Sequence, residues 1–123
     1  TPDMCLPIQY ALTYPARAGS SRVQTNFAKL GTLTFEDPDT DRFPALLLAR
    51  EAGAKGGTLP AVLNAANEVP VKPFCQRKIS FLAITETVRR TMQNHALVEH
   101  PTLDQILAAD TWARQEAARI AGI

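Results

Sequence analysis

Cysteine, excess charge of either sign and long apolar runs are all scarce in these 123 residues, and each scarcity excludes a class of protein. Two cysteines, Cys5 and Cys75, cannot build the disulfide framework of small secreted domains, so reduced thiols in a cytoplasm are the expectation. Lys and Arg total 13 against 12 Asp and Glu, and the resulting net charge of +1 offers no field for nucleic-acid phosphates or anionic lipid. The longest strongly apolar run, residues 45–49, falls far short of the roughly 20 residues of a membrane span. The chain opens Thr1-Pro2-Asp3, without Met and without a basic region leading into an apolar stretch, and reads as a fragment of a longer protein.

What is present is globular in character. Apolar residues make up 46% and charged residues 20%, with nine prolines and six glycines spread along the chain. That suffices for one domain of about 100 residues plus an appendage.

Within 3–14, Met4, Ile8, Ala11 and Leu12 fall at helical spacing behind a candidate Asp3 cap, with Pro7 tolerable near the first turn. Residues 15–26 are polar, small and aperiodic, and read as a connector. Leu30, Thr32 and Thr34 alternate with Leu33 and Phe35, so 30–36 predicts one short strand whose partner must come from elsewhere. From Asp37 onward the texture is helical. A first helix with Pro44 in its opening turn carries Leu46, Leu47 and Arg50 toward Gly53 and the Gly56-Gly57 stop. Thr58 is placed to cap a second, with Pro60 in its first turn and Val62, Leu63, Ala66 and Val69 along it. Ser80 offers a cap for a third helix bearing Leu82, Ile84, Val88 and Met92 before the polar break at 93–95. Thr102 and Gln105 form a capping box for a fourth, which carries Leu103, Ile106, Leu107, Ala113, Ala117 and Ile120. The expected fold is therefore mainly α: an antiparallel four-helix bundle over 38–123, preceded by a short helix, a linker and one short strand. The partition that follows is 1–16 as the tail of a preceding domain, 17–37 as linker with strand, and 38–123 as bundle.

Several patterns have the residue types of chemical sites. Asp37, Asp39 and Asp41 match the first ligand positions of a calcium loop, but Arg42 stands where glycine is needed and Leu48 where a bidentate Glu is needed. Carboxylates meeting free N–H groups near a helix start explain them better. Residues 53–58 lack the Lys immediately after the last glycine that a phosphate loop requires, and read as a helix stop. His95 and His100 lack the i, i+4 spacing of a zinc helix and read as solvated loop histidines. Cys75 beside Arg77 and Lys78 has no base placed near it and reads as a half-buried helix-end thiol. Trp112 reads as packing. Asn64, Asn67 and Glu68 share one helix face, where asparagine is a poor interior residue, and read as a structural polar clamp.

The segments PDM at 2–4, PIQYALTYP at 7–15, LGTLTF at 30–35, PDTDRFPALLLA at 38–49, LNAANEV at 63–69, KISFLAI at 78–84 and ILAADTWAR at 106–114 occur in this order. Together they resemble the C-terminal third of the 1-deoxy-D-xylulose 5-phosphate reductoisomerase family. The resemblance implies an enzyme of isoprenoid biosynthesis that converts 1-deoxy-D-xylulose 5-phosphate to 2-C-methyl-D-erythritol 4-phosphate with NADPH and a divalent metal, Mg or Mn. It implies upstream NADPH-binding and catalytic domains and a homodimer, with no nucleic-acid or membrane partner. No catalytic, cofactor-binding or metal residue carries over to this chain, which is expected to be structural and inactive alone. Pro2 and Met4 alone match positions lining the substrate pocket, as apolar wall. A different class, a free-standing helical interaction or dimerisation module, is the competing expectation. Pro70 and Pro73 depart from the family pattern, and an interior proline costs about 3 kcal/mol, so the second helix is expected to bend or end near Val69 and Pro70→Ala to raise stability.

Overall fold

A computed structural model describes residues 3–19 and 24–123 of the chain. Six helices and no strand occur among them, in two compact units, Thr1–Asp37 and Pro38–Ile123. No helix among the described residues is long and apolar enough to cross a membrane.

The first unit holds α1 (Cys5–Thr13) and α2 (Phe27–Leu30). Asp3 supports the start of α1, its Oδ1 accepting the Cys5 N–H at 2.7 Å, and Pro7 falls in the opening turn, where a missing N–H costs little. Asn26 caps α2 by accepting the Lys29 N–H at 2.9 Å, and Gly31 closes it with a positive φ of 68°. The predicted strand at 30–36 is therefore corrected: Leu30 ends a helix, and 31–36 takes no regular element. A strand needs a neighbour for its N–H and C=O groups, and none exists among the described residues. Neither helix of this unit buries a residue, whereas Met4, Leu12 and Phe35 are strongly exposed.

The second unit consists of α3 (Ala45–Lys55), α4 (Leu59–Cys75), α5 (Phe81–Asn94) and α6 (Leu103–Ala121). Helix α4 is central and packs on each of the other three, while α5 also meets α6. The core is built mostly from small side chains. Val62, Ala65, Ala66, Ala113 and Ala117 have no exposed surface, and Leu59, Val88, Met92, Ala52 and Ala109 complete the cluster. Several leucines expected to supply it stay outside: Leu46, Leu47, Leu82, Leu103 and Leu107 are all exposed.

Local sequence sets the helix ends. Ser80 accepts the Ala83 N–H at 3.3 Å. Thr102 and Gln105 complete the predicted capping box, Thr102 Oγ1 accepting from Gln105 N–H and Gln105 Oε1 accepting from Thr102 N–H at 2.8 Å. Two threonines on α5 enter the core with their hydroxyls satisfied, because each donates back one turn: Thr87 to the Ala83 carbonyl at 2.7 Å, Thr91 to the Thr87 carbonyl at 2.8 Å.

Helix α4 does not end at Val69. It continues through Pro70 and Pro73 to Cys75, then closes by Lys78 N–H donating to the Pro73 carbonyl and by Arg77 in left-handed backbone at φ 59°. Pro70 is fully buried, so its ring supplies core contact that offsets the hydrogen bond it cannot make to Ala66. Pro73 is only half-buried and has less to offset the N–H missing toward Val69. Pro73→Ala is accordingly the more stabilising of the two substitutions. Pro73→Ala is expected to gain about 1–2 kcal/mol, several degrees in Tm, with Pro70→Ala gaining less. Thermal melts of the two variants side by side check the order.

Candidate functional site

These candidate patterns take structural roles. Asp39 accepts the Arg42 N–H at 2.9 Å and its carbonyl accepts the Phe43 N–H at 2.9 Å, so this carboxylate closes a turn ahead of α3. Gly56 ends α3 at φ +65°, its N–H donating to the Ala52 carbonyl. His100 is exposed. Cys75, expected to be half-buried, is exposed like Cys5, because the turn after α4 leaves the helix end open. Among the described residues no three His, Cys, Asp or Glu side chains gather where they could hold a metal ion. Gly56 and Gly57 precede α4 without the G-x-G-x-x-G spacing of a dinucleotide loop.

The polar face of α4 reaches outward. Asn64 Nδ2 donates to Glu68 Oε1 at 3.2 Å, and Glu68 Oε2 pairs with Arg114 of α6 at 2.9 Å, where Asp110 also holds the guanidinium through Nε at 2.8 Å. These side chains are largely exposed, so the clamp orients α4 on α6 without burying polar groups. Asn67 instead lines a shallow apolar hollow with Ala45, Leu48, Leu63, Thr85 and Val88.

Sequence reasoning missed one cluster. Thr58 occupies the cap position of α4, but its backbone is already helical and its side chain makes no cap bond. It is buried, and its Oγ1 meets His95 Nε2 at 2.7 Å while accepting the Val98 N–H at 3.2 Å. The Thr58 N–H donates in turn to the Val98 carbonyl at 3.1 Å. His95 packs on Trp112 with ring centroids 5.1 Å apart. The α3–α4 junction is thereby fastened to the α5–α6 loop, and His95 is a half-buried fastener rather than a solvated histidine. The partners lie far apart in sequence, so no local pattern pointed to them.

Burial pushes the His95 imidazole below its usual range, toward the neutral form, whose Nε2 can accept the Thr58 hydroxyl proton. Its charged neighbours on the other side, Glu51, Lys55 and Arg89, are already engaged, Lys55 with Glu51 and Arg89 with Glu86. A folded pKa below the unfolded value of about 6.5 gives stability that is full above about pH 6.5 and lost as pH falls through the folded pKa. The Tm is therefore expected to fall between pH 7 and pH 5, and His95→Gln to flatten that fall. An equal slope in both proteins would contradict this.

Comparison with known proteins gives this scaffold its context. The family model for the DXP reductoisomerase C-terminal domain matches residues 1–116. The chain belongs to that family. Among curated relatives, the 1-deoxy-D-xylulose 5-phosphate reductoisomerase of Pelotomaculum thermopropionicum is 53% identical over 119 residues, covering 97% of this chain and 31% of the relative. That of Chlorobium limicola is 52% identical over 121 residues, covering 98% and 32%. The chain thus spans about a third of the length of the relatives it matches. Among solved structures, the Zymomonas mobilis reductoisomerase in complex with NADPH superposes over 100% of this chain and 32% of its own, with a TM-score of 0.85 at 40% identity. A DOX-P reductoisomerase in complex with NADPH, fosmidomycin and magnesium covers 99% of this chain and 32% of its own, with a TM-score of 0.78 at 34% identity.

Proposed function

We propose that the chain is the C-terminal part of a 1-deoxy-D-xylulose 5-phosphate reductoisomerase, structural in role and inactive alone. The whole enzyme would convert its sugar phosphate to 2-C-methyl-D-erythritol 4-phosphate, in the cytoplasm and as a homodimer. The observation that carries the reading is asymmetric coverage: relatives with that activity in their names align with nearly all of this chain, yet the chain fills only 31% of them. In this reading 1–16 is the tail of the preceding catalytic domain, 17–37 the linker, and 38–123 an antiparallel four-helix bundle.

NADPH would supply hydride and the divalent ion would polarise the substrate oxygens, both held by upstream polypeptide. What this chain contributes is position. A core of alanines, a helix-end fastener at Thr58 and His95, and the Glu68–Arg114 link make the helical unit stiff enough to hold a neighbouring domain in one geometry. Pro2 and Met4 are the residues proposed to reach the substrate pocket as apolar wall. Pro2 lies outside the described residues; Met4, at the start of α1, is 70% exposed and free to face another domain.

Full-length enzyme should oxidise NADPH with the sugar phosphate and Mg or Mn, and the purified 123-residue chain should not. Turnover by the chain alone would overturn the proposal, and a native product of only 13.4 kDa would favour the interaction-module reading. In the full-length enzyme Met4→Ala is expected to raise KM for the sugar phosphate about fivefold while leaving KM for NADPH unchanged, because only apolar contact to one substrate is lost. Parallel saturation curves for the two substrates check this.

A further inference from the structure

The loop between α5 and α6 hangs on one side chain. Residues 96–101 make two hydrogen bonds among the described residues, and both run to Thr58: the Val98 N–H donates to Thr58 Oγ1 at 3.2 Å, and the Thr58 N–H donates to the Val98 carbonyl at 3.1 Å. Packing adds little, since Ala96, Leu97, Glu99 and His100 are exposed and Val98 and Pro101 only half-buried. None of the six belongs to the core cluster, so the helices keep their contacts when this loop lets go. His95, at the head of the loop, meets the same Thr58 hydroxyl at 2.7 Å and packs on Trp112. Ala96 and Val98 face Ala108, Ala109 and Trp112 of α6 across an open hollow, which makes the loop one wall over the indole.

The protons on Thr58 Oγ1 and His95 make this hold conditional. The oxygen accepts the Val98 N–H and has His95 Nε2 as the one acceptor for its own proton, so the bonds are complete only when the imidazole is neutral with its hydrogen on Nδ1. A second proton on the ring turns Nε2 into a donor. Two donors then face the oxygen, and the hydroxyl proton has no acceptor among the described residues. Thr58 is 1% exposed, so the group left over is shut off from solvent while the loop stays closed. Closed loop and charged imidazole therefore oppose each other, and acid favours the open loop. The surrounding charges do not compensate. Glu51 and Lys55 of α3 pair with each other, and Arg89 of α5 pairs with Glu86. Arg119 and Asn94 hold Glu116 of α6 down to about 2, so its charge is the same at pH 7 and pH 5. Glu99 and His100, in the loop itself, are exposed and bonded to none of the described residues.

We propose that the α5–α6 loop is a pH-released strap: a proton on His95 frees residues 96–101 from Thr58 and uncovers Trp112 while the four helices stay packed. Hydrogen–deuterium exchange of the full-length protein, read by mass spectrometry, follows the peptides spanning 96–101 and 109–117 at pH 7 and pH 5. Labelling times are scaled for the intrinsic pH dependence of exchange. Protection of the Val98 amide is expected to fall about fivefold on acidification, while 109–117 stays far better protected at both values. His95→Gln, whose side-chain oxygen accepts the Thr58 hydroxyl without titrating, should hold the Val98 protection constant, and His100→Gln should leave the fall of the parent in place. Should His95→Gln not fold, Thr58→Val is the second variant, with the loop as open at pH 7 as the parent's is at pH 5. Three results would each overturn the proposal: constant Val98 protection in the parent, the same fall in His95→Gln, or Val98 protected as strongly as 109–117, which would mean that the loop opens only with the whole unit.

Discussion

Replacing Gly57 by alanine is expected to lower the stability of the helical unit by about 3–5 kcal/mol, far more than the same change at the adjacent Gly56. Both glycines have positive φ, +65° at Gly56 and +56° at Gly57, so a Cβ at either position carries a left-handed penalty of about 1–2 kcal/mol. They differ in what the new methyl meets. At Gly56 the space is open, whereas at Gly57 a Cβ would land against the Val98 carbonyl oxygen, closer than any contact can be, with Glu99 Cα at 3.1 Å behind it. Backbone cannot rotate aside as a side chain can, so the α5–α6 loop must move. That movement strains the hydrogen bonds from Thr58 N–H to the Val98 carbonyl and from Val98 N–H to Thr58 Oγ1, and leaves a buried hydroxyl and a half-buried imidazole short of partners. Urea unfolding followed by circular dichroism at 222 nm measures both variants, and equal losses at Gly56 and Gly57 would show that the loop does not press on this glycine.

The contrast between that fastener and the helix starts explains what the sequence discloses about such a fold. The starts of α5 and α6 are legible because each is decided within four residues, Ser80 with Ala83 and Thr102 with Gln105. Asn26 carries the same signal for α2, but it lies inside a polar connector, and the alternation after Leu30 has the period of a strand. Strand formation depends on a partner beyond the described residues, which no local pattern supplies. The core failed to follow residue size for a related reason. Periodicity identifies which face of a helix is apolar, yet Leu82, Leu103 and Leu107 lie exposed while Ala109, Ala113 and Ala117 are buried, since α4 sits over the alanines. Leu82, Leu103 and Leu107 therefore contribute to the exposed apolar surface of the helical unit and not to its core. Pro2 and Met4 enter as a proposal that rests on family resemblance alone, because an apolar wall has no spacing rule.

The alanine seam between α4 and α6 leads to the second large effect. Ala65 and Ala66 on one helix and Ala113 and Ala117 on the other have no exposed surface and belong to one cluster in which α4 and α6 pack together, so a longer side chain there must displace its neighbours. Ala113→Leu inserts three carbons there. Overpacking of a closed core costs about 1–3 kcal/mol, and displacement of α6 from α4 would also strain the Arg114–Glu68 pair one residue along. The expected loss is about 3 kcal/mol, against little change for Gln115→Leu, which adds a similar side chain to an exposed position on the same helix. The full-length enzyme separates the roles of the seam. If the helical unit is a brace, Ala113→Leu should lower the Tm by several degrees while kcat, measured well below the melting transition, stays within about twofold of the parent. A collapse of kcat at a temperature where the variant remains folded would mean that residues of the helical unit take part in the chemistry themselves.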